Sequence, residues 1–223
     1  MRPALLDLAR RTIGFMPEEE GIALYEAGSR ADGPFMEIGS YCGKSSIYLG
    51  GAARERDTVL YSIDHHRGSE EHQQGEVFHD PRLADASGRI DTLPSFARTI
   101  KAAGLTGVVL GIAADSATFA SAWRLPLGLV FLDGSHSNQA ARSDYEGWAP
   151  HLRPGGLLCI HDVFPDPADG GRPPFEIYRR AVNEDGFEER AASGSLRVLR
   201  AGAARRGVTR LARERGEEPA SPP

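Results

Sequence analysis

Residues 34–46 read PFMEIGSYCGKSS, and the reading of the whole chain grows outward from them. A short apolar run, Phe35, Met36 and Ile38 around an acidic Glu37, has the length and composition of a buried strand. It gives way to a loop punctuated by Gly39 and Gly43, after which Ser45, Ser46, Ile47, Tyr48 and Leu49 open a helical pattern. Strand, glycine loop and helix in that order place a ligand beyond the carboxyl end of the strand. There the glycines let the backbone approach it and the helix start offers free N–H groups. Gly39, Ser40, Tyr41, Gly43 and Ser45 are the candidate binding residues of this loop. A second apolar run over 58–63 leads to Asp64, about twenty residues after Gly43, where a carboxylate can accept hydrogen bonds from ribose hydroxyls. The expected ligand is a nucleoside-containing cofactor, and His65 and His66, beside Asp64, are further pocket candidates.

On both sides of this stretch the pattern is regular. Loose helical spacing over 4–13 and a second helix opened by Pro17 and Glu18, Glu19 and Glu20 precede it, the three carboxylates opposing the positive end of the helix dipole. After it, strand-like runs at 58–64, 107–113, 127–133 and 156–162 alternate with helical candidates at 44–53, 92–103, 116–123 and 138–152. Short apolar strands separated by helices predict a parallel sheet covered on both faces. A helix over 174–183 then leads to runs at 187–192 and 195–199 joined by Ser193 and Gly194, an antiparallel hairpin that closes a seven-stranded sheet. The predicted fold is α/β, doubly wound and mostly parallel.

Two polar connections, 65–90 and 163–174, are far longer than an ordinary strand-to-helix link and leave from strand carboxyl ends, which fits lids over a ligand as well as plain surface loops. One domain over 1–201 is expected, with N-terminal helices over 4–30 and a basic tail over 202–223 that is partly disordered. A formal charge of -5 argues against a nucleic-acid binder working through a basic face. No run approaches about eighteen apolar residues, so neither a membrane span nor a secretion signal is indicated and a cytoplasmic protein is expected. The 2 cysteines, Cys42 and Cys159, read as buried free thiols.

A second constellation carries chemistry. The run LVFLD ends on Asp133, His136 follows three residues later, and the run LLCIHD ends on His161 and Asp162. Ends of adjacent strands lie about 5 Å apart, so Asp133 and Asp162 can meet above the sheet, where two carboxylates repel unless a proton or cation joins them. Mg²⁺, or another divalent cation, takes such oxygen ligands and leaves positions for water and substrate. Each residue also has a plainer role open to it: Asp133 can cap the next helix, His136 can be a hydrogen-bonded turn residue, and His161 can pack beneath the loop. His65, His66, His72 and His79 match no standard metal-ligand spacing.

The EIGSYCGKS segment lacks the G-x-G-x-x-G spacing of dinucleotide binders, which counts against a nicotinamide-dependent oxidoreductase. It resembles the first motif of class I S-adenosylmethionine-dependent methyltransferases, in particular the metal-dependent O-methyltransferases related to catechol O-methyltransferase and their sugar- and antibiotic-modifying branch. The resemblance implies a Rossmann-like fold with Glu37 near the amino end of the methionine moiety, Ser45 on its carboxylate, Asp64 on the ribose, and Asp115 and Ser116 lining the adenine. It further implies Asp133, Asp162 and His161 as metal ligands, Asp133 beside the cofactor, and His136 at the position of the substrate's base. The family's first ligand of the last pair is an oxygen, and here it is His161. The implied reaction is methyl transfer to a hydroxyl of a small polyhydroxylated acceptor, a sugar or glycoside, with a catechol or other phenol as the second choice. The polar residues Glu70, Glu71, Gln73, Gln74 and Glu76 suit the first. The expected partner is that small molecule, with no nucleic acid and no membrane; a homodimer is compatible with the sequence.

Overall fold

The computed structural model describes residues 1–69, 72–76, 79–134, 137–166 and 172–202. Helices α1 (Pro3–Arg11) and α2 (Glu18–Arg30) lead to β1 (Phe35–Ile38), α3 (Lys44–Glu55) and β2 (Leu60–Asp64). The chain continues through α4 (Leu93–Ala102), β3 (Val109–Ala113), α5 (Ser116–Ala122), β4 (Leu127–Leu132), α6 (Asn138–Trp148) and β5 (Leu152–Ile160). It ends with α7 (Arg172–Asn183), β6 (Phe187–Ser193) and β7 (Leu196–Ala201). The 7-stranded sheet has the order β3-β2-β1-β4-β5-β7-β6, parallel from β3 to β5, with β7 antiparallel to both β5 and β6. This is the doubly wound Rossmann-like sheet with the C-terminal hairpin that the alternating runs predict.

Two apolar cores sandwich the sheet, and the two-residue period of its strands decides which side chains enter each. Phe35, Leu60, Leu129, Phe131, Cys159 and Val198 face α1–α4, whereas Met36, Ile63, Val130, Leu132, Leu158 and Ile160 face α5–α7. Both cysteines are free and buried, and burial pushes each thiol up to about 12, so neither is poised as a nucleophile.

Some boundaries differ from expectation for local reasons. The helix predicted over 138–152 stops at Trp148 because Pro150 cannot continue it, and Leu152 instead begins β5 opposite Leu127. The last helix starts two residues earlier than expected, at Arg172, with Pro173 and Pro174 in the first turn, where their missing N–H groups cost nothing. No helix among the described residues is long and apolar enough to cross a membrane.

The 65–90 connection is pinned to the glycine loop: Leu83 and Ile90 bury against Cys42, with Ile13 and Tyr41 packed alongside. His72, His79 and Gln73 bond within the loop itself. Ser69 bonds His72 Nδ1 at 2.7 Å, His79 Nδ1 sits 3.0 Å from the His72 carbonyl, and the Gln73 amide donates to the carbonyls of Arg67 and Ser69. Gln73 is thus spent on its own loop. Glu70 and Glu71 lie outside the described residues, as do 167–171 and the tail from 203 onward.

Candidate active site

The carboxyl ends of β1, β2, β4 and β5 meet at one rim, and the register places polar side chains there. Along β1 the alternation turns Glu37 toward α3, opposite Ser62 of β2. Gly39 follows with φ 86°, and a Cβ on it would stand 2.0 Å from the carbonyl oxygen of Asp133, so only glycine lets the loop pass this close to the end of β4. Beyond it Tyr41 takes φ 45°, an uncommon conformation for a residue with a side chain. That turn aims the Tyr41 N–H at Asp64 Oδ2 (2.8 Å), while the His66 N–H reaches Asp64 Oδ1 (2.7 Å). Asp64 is therefore oriented by two backbone donors, and each oxygen keeps acceptor capacity for a further hydroxyl.

Glu37 is 0% exposed. Its Oε2 accepts from Ser46 Oγ (2.5 Å) and from Ser62 Oγ, and Ser45, buried in the first turn of α3, also helps to stabilise the charged form. Burial nevertheless prevails over the serines, and with the charge of Asp133 added it lifts the carboxyl to about 7. The other oxygen, Oε1, is buried with no hydrogen-bond partner, and so is Ser40 Oγ one loop turn away. A buried acceptor without a donor is costly. An ammonium group supplies the missing donor and the missing charge together, so the loop fits a cofactor carrying an amino-acid end and ribose hydroxyls.

The second cluster lies beside the first. Strand alternation sends Asp133 and His161, at equivalent positions past β4 and β5, to the same face, with the His161 N–H bonded to the Leu132 carbonyl at 3.1 Å. Asp162, the next residue, would point away. Its left-handed backbone, φ 56°, turns it back, and its Oδ1 comes 3.4 Å from His161 Nδ1. Asp133 Oδ1 stands 3.0 Å from the same nitrogen, and one ligand atom from each of Asp133, His161 and Asp162 fits within 4.8 Å.

His161 is 5% exposed, and its far nitrogen, Nε2, lies 2.5 Å from Glu20 Oε2. Burial opposes a charged ring, but Asp133, Asp162 and Glu20 outweigh it and hold the imidazole well above its ordinary value. Glu20 comes from the first turn of α2, where charge alone suggested a residue opposing the helix dipole. It is 3% exposed and turned into the protein, its Oε1 accepting the Ser195 N–H at 2.5 Å. Burial would raise its carboxyl, but His161 and the Ser195 N–H bring it below the ordinary value. Gly194, φ 52°, closes over Glu20 so tightly that a Cβ there would lie 2.1 Å from Oε1. The sequence signal for Glu20 is its place on the inward stripe of α2 with Leu24, Ala27 and Gly28, where a lone charge needs a buried partner.

The remaining candidates fall around this rim. The helix-capping role considered for Asp133 belongs to Ser137, whose Oγ accepts from the Ala140 N–H at 3.2 Å. Asp115 caps α5, accepting from the Thr118 N–H at 2.8 Å, and Ser116 Oγ accepts the Trp148 indole N–H at 2.8 Å. Asp144 of α6 is buried beside Ser116, and burial raises it to about 6. His65 is exposed, with Nδ1 accepting the Arg67 N–H at 3.0 Å. His136 lies outside the described residues. Next to Asp133 and His161 opens a pocket whose walls include Leu132, Ala141, Ile160 and Ile177.

Comparison with known proteins identifies the family and the fold. Residues 36–163 match the family described as "Methyltransferase domain", a span that runs from β1 through the residue after Asp162 and covers more than half of the chain. A 39-residue segment is 44% identical to the demethylmacrocin O-methyltransferase of Streptomyces fradiae, which is 18% of this chain and 10% of that enzyme's length. Among solved structures, the O-methyltransferase TomG of Streptomyces achromogenes, involved in tomaymycin synthesis and solved with S-adenosylmethionine, superposes with a TM-score of 0.59 at 17% identity over 91% of both chains. An O-methyltransferase of Bacillus cereus, solved with S-adenosylhomocysteine, gives 0.58 at 15% identity over 90% of this chain and 92% of its own. At such identities the likeness is one of fold.

Proposed function

This chain belongs to the methyltransferase-domain family, and we propose that it moves a methyl group from S-adenosylmethionine to a hydroxyl oxygen of a small polyhydroxylated acceptor, a sugar or glycoside, aided by a divalent cation. The observation that carries the reading is Glu37 Oε1, a fully buried and unpartnered carboxyl oxygen beside the Asp133–Asp162 centre. Glu37 and Asp64 would hold the amino and ribose ends of the donor, and Gly39 leaves the space between them open. The loop of 65–90, pinned on Tyr41 and Cys42, would keep water from that side.

S-adenosylmethionine, when bound, supplies a methyl group on a positively charged sulfur. Transfer forms the oxygen–carbon bond as the sulfur–carbon bond breaks, in line, so the chain's task is to align the acceptor hydroxyl and dispose of its proton. Asp133 and Asp162 would orient acceptor hydroxyls, and His136, three residues beyond Asp133, is the proposed proton acceptor. The donor set of Asp133, Asp162 and His161 suits a divalent cation, which when bound lowers the pKa of a hydroxyl. Three carboxylates surround one imidazole here, so even a fully charged ring leaves negative charge uncompensated.

Radiolabelled S-adenosylmethionine offered with a panel of sugars, glycosides and catechols tests the reading. Label should enter a glycoside hydroxyl, and label in none of the panel despite cofactor binding would refute the acceptor class. His136→Ala should lower turnover by about a hundredfold and leave S-adenosylhomocysteine affinity within twofold. Unchanged turnover would remove His136 from the base role.

A further inference from the structure

Among the described residues the acidic centre contains one nitrogen donor, His161, and the chain has built a dedicated support for it. His161 could turn about its side-chain bonds or present either ring nitrogen, yet both are already assigned. Nε2 is held at 2.5 Å by Glu20, itself buried, bonded to the Ser195 N–H at 2.5 Å and roofed by Gly194. That leaves Nδ1 on the side of the two aspartates, hydrogen-bonded with Asp133 Oδ1 (3.0 Å) and 3.4 Å from Asp162 Oδ1. A carboxylate on the far nitrogen of an imidazole fixes the tautomer and ring orientation and makes the near nitrogen a better ligand. An imidazole among the donors changes which ion is held: oxygen-only sets suit Mg²⁺, whereas imidazole favours later first-row ions along the Irving–Williams order.

We propose that Glu20 is a positioning residue that presents His161 Nδ1 to the Asp133–Asp162 cleft, so that this centre takes a divalent transition-metal ion in preference to Mg²⁺. The inference rests on the divalent-cation reading above and goes beyond it in naming the ion class and the residue that sets it. Glu20 would touch neither ion nor substrate. It acts through His161, across 141 residues of sequence.

The test uses the full chain without cofactor or acceptor, titrated calorimetrically with Co²⁺ and with Mg²⁺. The wild-type protein should bind one Co²⁺ at least about a hundredfold more tightly than Mg²⁺. Glu20→Gln should weaken Co²⁺ by about tenfold, the usual effect of losing an outer-shell partner, and His161→Asp should shrink the Co²⁺ over Mg²⁺ ratio to about tenfold or less. Because His161→Asp sets a carboxylate against Glu20 and can unfold the chain, pulsed electron paramagnetic resonance of the Mn²⁺-loaded wild type supplies an independent readout: directly coordinated imidazole nitrogen should appear. Three results would overturn the proposal: equal affinity for the two ions, absence of nitrogen coupling, or a Glu20→Gln variant with wild-type Co²⁺ affinity. A protein that binds no divalent ion would overturn it as well and make the His161 ring itself the cation between the carboxylates. S-adenosylhomocysteine binding, measured alongside, separates that outcome from a failure of the methyltransferase reading.

Discussion

Two buried glutamates stand at the same rim of the sheet, and their surroundings are opposite. Glu20 has both oxygens engaged, by His161 on one and the Ser195 N–H on the other, and its carboxyl lies below the ordinary value. Glu37 has one oxygen engaged by serines and the other bare, and its carboxyl is lifted to about 7. The difference separates support from reception. A buried charge whose partners all belong to the chain holds the fold in place, whereas on the proposed function one left a donor short takes its donor from a bound ligand.

Replacing each glutamate in turn should break the symmetry of burial most visibly. Glu20→Ala leaves the His161 Nε2–H and the Ser195 N–H as two buried donors without an acceptor and should cost about 2–5 kcal/mol in chemical denaturation. A loss under about 1 kcal/mol would mean that Glu20 is not a structural partner. Glu37→Gln should act in the reverse direction. Between the ordinary value of 4.5 and about 7 the unfolded chain ionises Glu37 while the folded chain keeps its proton, so wild-type stability falls as pH rises through that window. At pH 8 the glutamine variant should therefore exceed the wild type by up to about 3 kcal/mol, with the two converging near pH 4. A variant less stable than the wild type at pH 8 would contradict the lifted carboxyl.

The smallest effect sharpens the contrast further. If Glu37 receives an ammonium group, only its carboxylate form serves, and S-adenosylhomocysteine affinity should rise by about tenfold from pH 6 to pH 8 and then level. Glu37→Gln should flatten that profile. A flat wild-type profile would assign the amino group to another residue.

The sequence was most legible where one local pattern had one explanation. Apolar runs of alternating element type define the parallel sheet, and the glycine loop after β1 marks the rim where Asp64 and Asp133 come close to it, because neither depends on distant partners. Asp133 and Asp162 could be brought together from strand order alone. The His161–Glu20 pair could not, since Glu20 in a first helical turn has an adequate local reason to exist and its real partner is 141 residues away. Likewise Asp115 and Ser137 are the helix caps, roles that composition distributes among several aspartates and serines without choosing. Gln73, which suited a hydroxyl-rich ligand by composition, folds back on its own loop because amide and carbonyls are close in sequence.

A crystal structure of the protein with S-adenosylhomocysteine addresses the central claim most directly. The account predicts the amino nitrogen of the ligand within about 3 Å of Glu37 Oε1, its ribose hydroxyls on Asp64, and its sulfur directed toward the Asp133–Asp162 rim. A ligand bound elsewhere, or one that leaves Glu37 Oε1 without a donor, would contradict it.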